Sequence, residues 1–215
     1  MPISFTKVAL SHGWMGNMAP FPIKYDGKWW LTTEALFQAL RFDDDAIREE
    51  IRAIKSPMAA KWRSKREKAK MVVERLSEQD VANMESVLRL KLQQHPKLKQ
   101  QLLETGAETI IEDRSKGPGG SGKFWGAALK DGEWVGENIL GKLWMKLRDE
   151  LKVRAEETAR VRHEELAVSS PAPAATKKAT KPVATPNVID LILAAKQLIL
   201  DVGSTEELKR LIDAL

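Results

Sequence analysis

The sequence predicts an α+β fold that is predominantly α-helical, and three observations carry that expectation. Apolar residues recur at helical spacing in several separate segments, most of them bounded by capping residues or by proline and glycine. Strand signals are confined to one Asp-Gly hairpin near the N-terminus and one short apolar run near residue 110. At residue 168 the composition changes abruptly, which separates a main domain from a C-terminal appendage.

The elements follow in order. "FPIKYDGKWWLT" sets Asp26-Gly27 between two β-capable runs, and both turn residues tolerate the positive φ that a tight hairpin needs. "LTTEALFQALRF" (31–42) reads as an amphipathic helix, and 43–56 as a second, with Asp43–Asp45 available as N-caps and Pro57 limiting its end. Residues 57–71 are basic and helical. Ser77 caps a helix whose period runs through Val81, Met84, Val87, Leu88 and Leu92 to His95-Pro96. "KLKQQLLETG" is a short helix closed by Gly106. "TIIED" reads as a buried strand, a glycine-rich loop follows, and a long helix runs from Glu137 to about Leu166. The expected domains are therefore 1–167, a flexible Pro/Ala/Lys linker at 168–186, and a helical hairpin at 187–215. In the hairpin Gly203 ends the first helix, and Ser204 with Glu207 forms a capping box for the second. Two helices of this length hold no core of their own, so the hairpin is expected to dock on the main domain, a second copy or a partner.

Composition narrows the function. The 215 residues are 43% hydrophobic and 30% charged, which suits one sizeable folded domain plus the appendage. No stretch reaches the ~20 apolar residues of a membrane span, and "MPISFTKVALSHGW" has no secretory h-region, so a cytoplasmic protein without membrane association is expected. The absence of cysteine removes disulfides, thiolate chemistry and Cys-ligated zinc. His12, His95 and His163 are too scattered to form a ligand pair, and no metal is expected. The net charge of +5 fits a polyanionic partner or simple solubility. Seven tryptophans against one tyrosine offer flat faces for stacking a base, or core filling.

Four stretches are candidates for chemistry. Eight of the thirteen glycines lie between 117 and 141, and "GPGGSGK" resembles the spacing of a nucleotide P-loop. That motif needs a Ser or Thr after the lysine and a helix behind it; position 124 is Phe, and "FWGAALKDG" does not read as a helix start. What remains is a loop whose backbone approaches a ligand, or a mobile loop. Elsewhere no nucleophile motif such as G-x-S-x-G supports a catalytic triad. The run 61–70 carries Lys61, Arg63, Lys65, Arg66, Lys68 and Lys70 against Glu67 alone, with Trp62 among them. It suits phosphates and a stacked base, or is a solvated basic face. In the opening helix Glu34, Gln38 and Arg41 share one stripe beside Phe37. Glu34 and Arg41 stand about 10 Å apart along the axis, too far for an ion pair. They bracket a ligand, or Glu34 is only a helix-end charge worth ~0.3–1 kcal/mol.

Taken together, "PFPIKYDGKWWLTTEALFQALRF", "LRLKLQQHPKLKQQLLETGAETIIED", "FWGAAL" and "GENILGKLWMKLRDEL" resemble the NADAR superfamily, also called the YbiA-like family, over roughly residues 5–151. The resemblance implies a compact α-rich fold with a small β element, and an N-glycosidase without metal or cofactor. Within the family, some members hydrolyse phosphoribosylamino-pyrimidine intermediates of riboflavin synthesis. Others remove ADP-ribose from guanine in nucleic acid, reversing a toxin-like transferase.

The family's E-H-Y-Y-Q-A-x-K-F pattern falls on Glu34 and Gln38, with Ala35 in place of its histidine and Arg41 in place of its lysine. Its W-G-x-G motif matches Trp125 and Gly126 but continues Ala127-Ala128, and an upstream tryptophan is Leu76. The L-G-K-L-x-M-x-x-R piece matches from Leu140 to Arg148, preceded by Asn138. By resemblance, then, the pocket is built from the opening helix, the glycine-rich loop and the start of the long helix. Glu34 is the expected catalytic carboxylate, with Glu112 or Asp113 standing in for the aspartate absent at 127. Arg41, Lys61 and Arg63 would hold phosphates, Trp125 and Trp30 would stack on the base or wall the pocket, and Asn17 and Asn138 would bond the ribose. Lys61, Lys91 or Lys142 is the candidate for a Schiff base with an opened sugar.

The expected activity is release of ADP-ribose from guanine bases, in the setting of a cognate ADP-ribosyltransferase toxin. The alternatives are the riboflavin-intermediate hydrolase and a non-catalytic module that binds ADP-ribose or NAD.

Overall fold

The computed structural model describes residues 2–117 and 121–169, with side chains as far as residue 163. The hairpin at 187–215 and the linker beyond Ser169 lie outside the described residues. Among the described residues there are seven α-helices and three two-stranded sheets, the helix-dominated α+β class that the sequence predicts. No described helix is long and apolar enough to cross a membrane.

The chain begins with β1 (Ile3–Phe5), which pairs in parallel with β4 (Ile110–Glu112), Ile3 opposite Ile110 and Phe5 opposite Glu112. Phe5, Ile110 and Ile111 are buried, as a parallel pair requires. The predicted hairpin joins β2 (Ile23–Tyr25) to β3 (Lys28–Trp30) through Asp26 (φ 49°) and Gly27 (φ 71°). A second hairpin, β5 (Ala128–Lys130) and β6 (Glu133–Val135), turns at Asp131 (φ 47°) and Gly132 (φ 87°). Its signal is the same Asp-Gly dipeptide, hidden at sequence level inside the glycine-rich stretch.

The opening helix is shorter and drier than its pattern suggests. α1 (Thr33–Ala39) is buried over its whole length because it packs on α2 (Asp45–Ala53), α3 (Pro57–Arg66) and α4 (Glu78–Gln94) at once. A helix enclosed on all sides does not need a polar face, so the polar groups it carries call for partners inside the protein. Asp44, Ser56 and Ser77 cap α2, α3 and α4, each accepting backbone N–H groups of its helix. α5 (Pro96–Glu104) ends before Gly106 (φ 61°).

Contrary to expectation, a short helix, α6 (Ser121–Trp125), includes the "FW" of the glycine-rich region. α7 (Ile139–Ser169) starts two residues later than expected, because Asn138 takes φ 51° and turns the chain instead of joining the helix. The helix also takes in Val168 and Ser169, the first two residues of the expected linker.

Lys91, on α4, is fully buried and donates to the carbonyls of Trp14 and Gly16, with its ammonium over the rings of Phe21 and Trp144. Burial pulls its pKa down to about 7. This lysine ties the 13–17 segment onto α4, and Trp144 Nε1 donates to Met15 O from the other side.

Candidate active site

A cavity of about 340 Å³ opens beside α1, within the size range of small-ligand sites. Glu34, Phe37, Gln38 and Arg41 line it, so the stripe read from the sequence does face one space. Thr32 caps α1 by accepting from Ala35 N (3.2 Å). Thr33 Oγ1 donates to both the carbonyl and the side-chain Oδ1 of Asn17, at 3.1 and 3.2 Å, and Glu34 N donates to Asn17 O at 3.0 Å. Asn17 Nδ2 reaches Met84 Sδ at 2.9 Å. Asn17 lines the cavity, but its polar atoms are engaged in holding the start of α1 against α4.

Glu34 is only 5% exposed, yet it sits on the cavity wall at one end of a hydrogen-bonded chain. Gln38 Nε2 donates to Glu34 Oε1 (2.9 Å), and Arg41 Nη1 donates to Gln38 Oε1 (2.7 Å). Arg41 Nε and Nη2 grip the two oxygens of Asp80, both at 2.8 Å, and Asp80 is completely buried. Gln38 thus spans the gap between Glu34 and Arg41, and its amide orientation is fixed by an acceptor on one side and a donor on the other. The expectation that Arg41 holds phosphate meets a guanidinium whose three nitrogens are already bonded and which lies 4.4 Å above the Phe37 ring. At the open end Lys61 Nζ stands 3.5 Å from Glu34 Oε1, reaching over from α3.

β4 also delivers a carboxyl, Glu112, to the same cavity. Its Oε2 is buried without a hydrogen-bond partner. Burial pushes its carboxyl up to about 7; Arg114 and Lys61 pull against that shift, and the neighbouring Glu34 charge adds to it. Asp113 does not line the cavity, and its Oδ1 accepts from Ser115 N at 2.8 Å.

The Trp-Gly and Asn-x-Leu-Gly motifs fix this strand. Ala127 N donates to Glu112 O (2.9 Å) and Arg114 N to Ala127 O (2.7 Å), so the chain after α6 is stitched alongside β4. A Cβ at Gly126 would lie 2.3 Å from the Glu112 carbonyl oxygen, which is why no side chain fits there. Asn138 Oδ1 accepts from Glu112 N (3.1 Å) and its Nδ2 donates to Ile110 O (2.8 Å). The residue expected to bond a ribose therefore clamps the backbone of β4. Gly141 allows α7 to touch that clamp, since a Cβ there would meet Ile110 O at 2.1 Å and the Asn138 amide at 2.5 Å.

Trp125 lines the cavity and meets Phe37 edge-on at 5.6 Å. Other expected residues lie elsewhere. Trp30 is 3% exposed and belongs to the hydrophobic core, because β3 turns it inward while Trp29 faces out. Arg63 lines neither this cavity nor its neighbour and is paired with Glu50 and Glu67. Of the three candidate Schiff-base lysines only Lys61 lines the cavity; Lys91 is buried elsewhere and Lys142 is exposed on α7.

Sequence reasoning passed over three cations that line it, Lys7, Arg75 and Arg114. Arg114 lies two residues past the end of β4 and packs against Gly117 and Gly122, where an added Cβ would come within 3.0 and 3.1 Å of its guanidinium. The glycine-rich stretch thus makes room for an arginine, a contact that spacing alone does not signal.

The NADAR domain family matches residues 4–152. The N-glycosidase YbiA of Escherichia coli (strain K12) is 37% identical over 151 residues, 70% of this chain and 89% of that protein. Its NMR structure superposes with a TM-score of 0.61 at 33% identity, covering 73% of this chain and 90% of that one. A riboflavin biosynthesis protein of Vibrio vulnificus (strain YJ016) is 30% identical over 154 residues, 72% of this chain and 40% of that protein.

Proposed function

Since the chain belongs to the NADAR domain family and is an N-glycosidase, we propose that its substrate is ADP-ribose attached to guanine in nucleic acid, from which it releases the ADP-ribose. The observation that carries this reading is the wall of the cavity: a carboxylate held in a fixed chain, a second carboxyl on the same cavity, and cations lining it with them.

Cleaving a ribosyl N-glycosidic bond builds positive charge on the anomeric carbon and requires a proton on the departing base nitrogen. Glu34, locked by Gln38 and Lys61, stabilises that charge and takes a proton from the attacking water. Glu112, with its carboxyl near 7, carries the proton for the leaving nitrogen at neutral pH. Lys7, Arg75 and Arg114 offer more positive charge than one phosphate needs, which favours a diphosphate. Trp125 supplies an aromatic wall.

The second reading, hydrolysis of a phosphoribosylamino-pyrimidine, is favoured by the name of the Vibrio relative. Incubating the protein and its Glu34→Gln variant with ADP-ribosylated guanine DNA, and separately with the pyrimidine, decides between them. Expected are ADP-ribose release from the DNA and its loss by about 10³-fold in the variant. Turnover of the pyrimidine alone would transfer the protein to the second reading, and equal activity of both proteins would remove Glu34 from the chemistry.

A further inference from the structure

We propose that the cavity adjoining the active site is a groove for the single-stranded nucleic acid on either side of the modified base. This inference rests on the substrate reading above and extends it to the part of the substrate that undergoes no reaction. The adjoining cavity measures about 670 Å³, roughly twice the volume of the one at Glu34. The two share Met18, Lys61, Arg75, Arg114, Ser121 and Gly122 as lining, so a ligand passes from one to the other without leaving the protein surface.

The groove carries five cationic side chains, Lys61, Lys65, Arg66, Arg75 and Arg114, and among the described residues no acid lines it. They come from three separate segments, α3, the loop before α4 and the segment just after β4. Lys65, Arg66 and Arg75 hold no ion pair among the described residues, in contrast to Arg63 on the same helix, which two glutamates neutralise. The charge is therefore available. Lys61, Arg75 and Arg114 are shared with the substrate cavity, so Lys65 and Arg66 are the cations left over for phosphates beyond the diphosphate, which suits a strand continuing past the modified base.

The second independent feature is Trp62. Its indole is 62% exposed on the wall of this groove, on α3 between Lys61 and Arg63. An exposed flat aromatic beside unpaired cations is the arrangement on which bases of a single strand stack while the backbone follows the charge. In a duplex both faces of each base are already covered, so the indole has nothing to receive. Met58 and Met18 complete an apolar floor.

The test uses the full-length protein and a Trp62→Ala/Lys65→Ala variant, whose replaced side chains are both exposed, so folding is not at stake. Binding of an unmodified single-stranded DNA of about twelve nucleotides is followed by fluorescence anisotropy against salt. The expected result is about 10-fold weaker binding by the variant, with a log–log salt slope shallower by about 0.7, and weaker binding of the same sequence as a duplex. With ADP-ribosylated guanine as substrate, kcat/KM of the variant falls on the oligonucleotide and stays unchanged on ADP-ribosyl-guanosine. An equal fall on both substrates would give the groove to the ADP-ribose half and overturn the proposal. Unchanged strand binding, or duplex binding as tight as the single strand, overturns it as well. If the wild type turns over neither substrate, the hydrolase reading fails by itself, and the binding arm still decides the groove.

Discussion

Lys61 Nζ lies 3.5 Å from Glu34 Oε1, although the lysine belongs to α3 and the glutamate to α1. The two side chains differ in setting: the carboxylate is 6% exposed and the lysine 44%. The lysine therefore closes a buried charge from the solvent side and remains within reach of a ligand in either cavity. If it acts by charge, Lys61→Arg keeps activity within about 10-fold, while Lys61→Ala loses about 30-fold, as expected for one charge-assisted contact. An arginine forms no Schiff base, so complete loss in Lys61→Arg, together with trapping of wild type by borohydride, would transfer Lys61 to covalent chemistry.

Glu112 gives the activity a pH signature. Its carboxyl, raised to about 7, is protonated on the acid side, so kcat falls as pH rises through 7 and 8. Glu112→Gln removes that limb and lowers kcat by about 10²-fold. Stability follows the same group. The folded protein holds this proton between the usual carboxylate range and pH 7, whereas the unfolded chain has released it. The stabilising contribution is thus complete below about pH 4.5 and is lost as pH rises through about 7. Thermal melts at pH 4 and pH 8 check this: Glu112→Gln should melt about 5 °C above wild type at pH 8 and level with it at pH 4.

Asp80 anchors the chain of bonds that ends at Glu34. Asp80→Ala strands the buried Arg41 guanidinium, which costs about 3–5 kcal/mol and lowers the melting temperature by about 10 °C. It also takes the acceptor from Leu76 N (2.9 Å), so the loop before α4 loosens. With Arg41 free to turn, Gln38 no longer points its amide at Glu34, and kcat falls in the fraction that remains folded. A variant with full activity and an unchanged melt would show that the chain of bonds has no catalytic role.

Gly126→Ala places a methyl group within 2.3 Å of the Glu112 carbonyl oxygen, a backbone atom that cannot swing away. The stitched pair of Glu112 and Ala127 must separate, which shifts both Glu112 and Trp125. Activity should drop by at least about 10²-fold, and hydrogen exchange at Ala127 N and Arg114 N should speed up. Unchanged exchange would mean that the segment relaxes elsewhere.

Much of the fold is legible because its signals are local. Asp26-Gly27 fixes a hairpin, Ser77 starts a helix and Gly106 ends one, each through the backbone geometry of a few neighbouring residues. The stripe of Glu34, Phe37, Gln38 and Arg41 is equally local and faces one cavity as its spacing suggests. What those residues touch is a different matter. The partner of Arg41 is Asp80, on α4, with two whole helices between them in the chain, and nothing around either residue announces the other. Trp30 and Trp29 are neighbours in sequence, yet one fills the core and the other faces solvent, since a strand sends successive side chains to opposite sides.

By itself the sequence determined the helical class, the family motifs and the candidate glutamate, because periodicity, capping and turn chemistry act over a few residues. The tertiary structure alone decided which charges remain available. Long-range packing paired Arg41 and Arg63 with carboxylates, turned Asn138 into a clamp on β4, and left Lys65, Arg66, Arg75 and Trp62 facing an open groove. A charge is available only when no folded neighbour neutralises it, and that depends on distances in space that residue order does not carry.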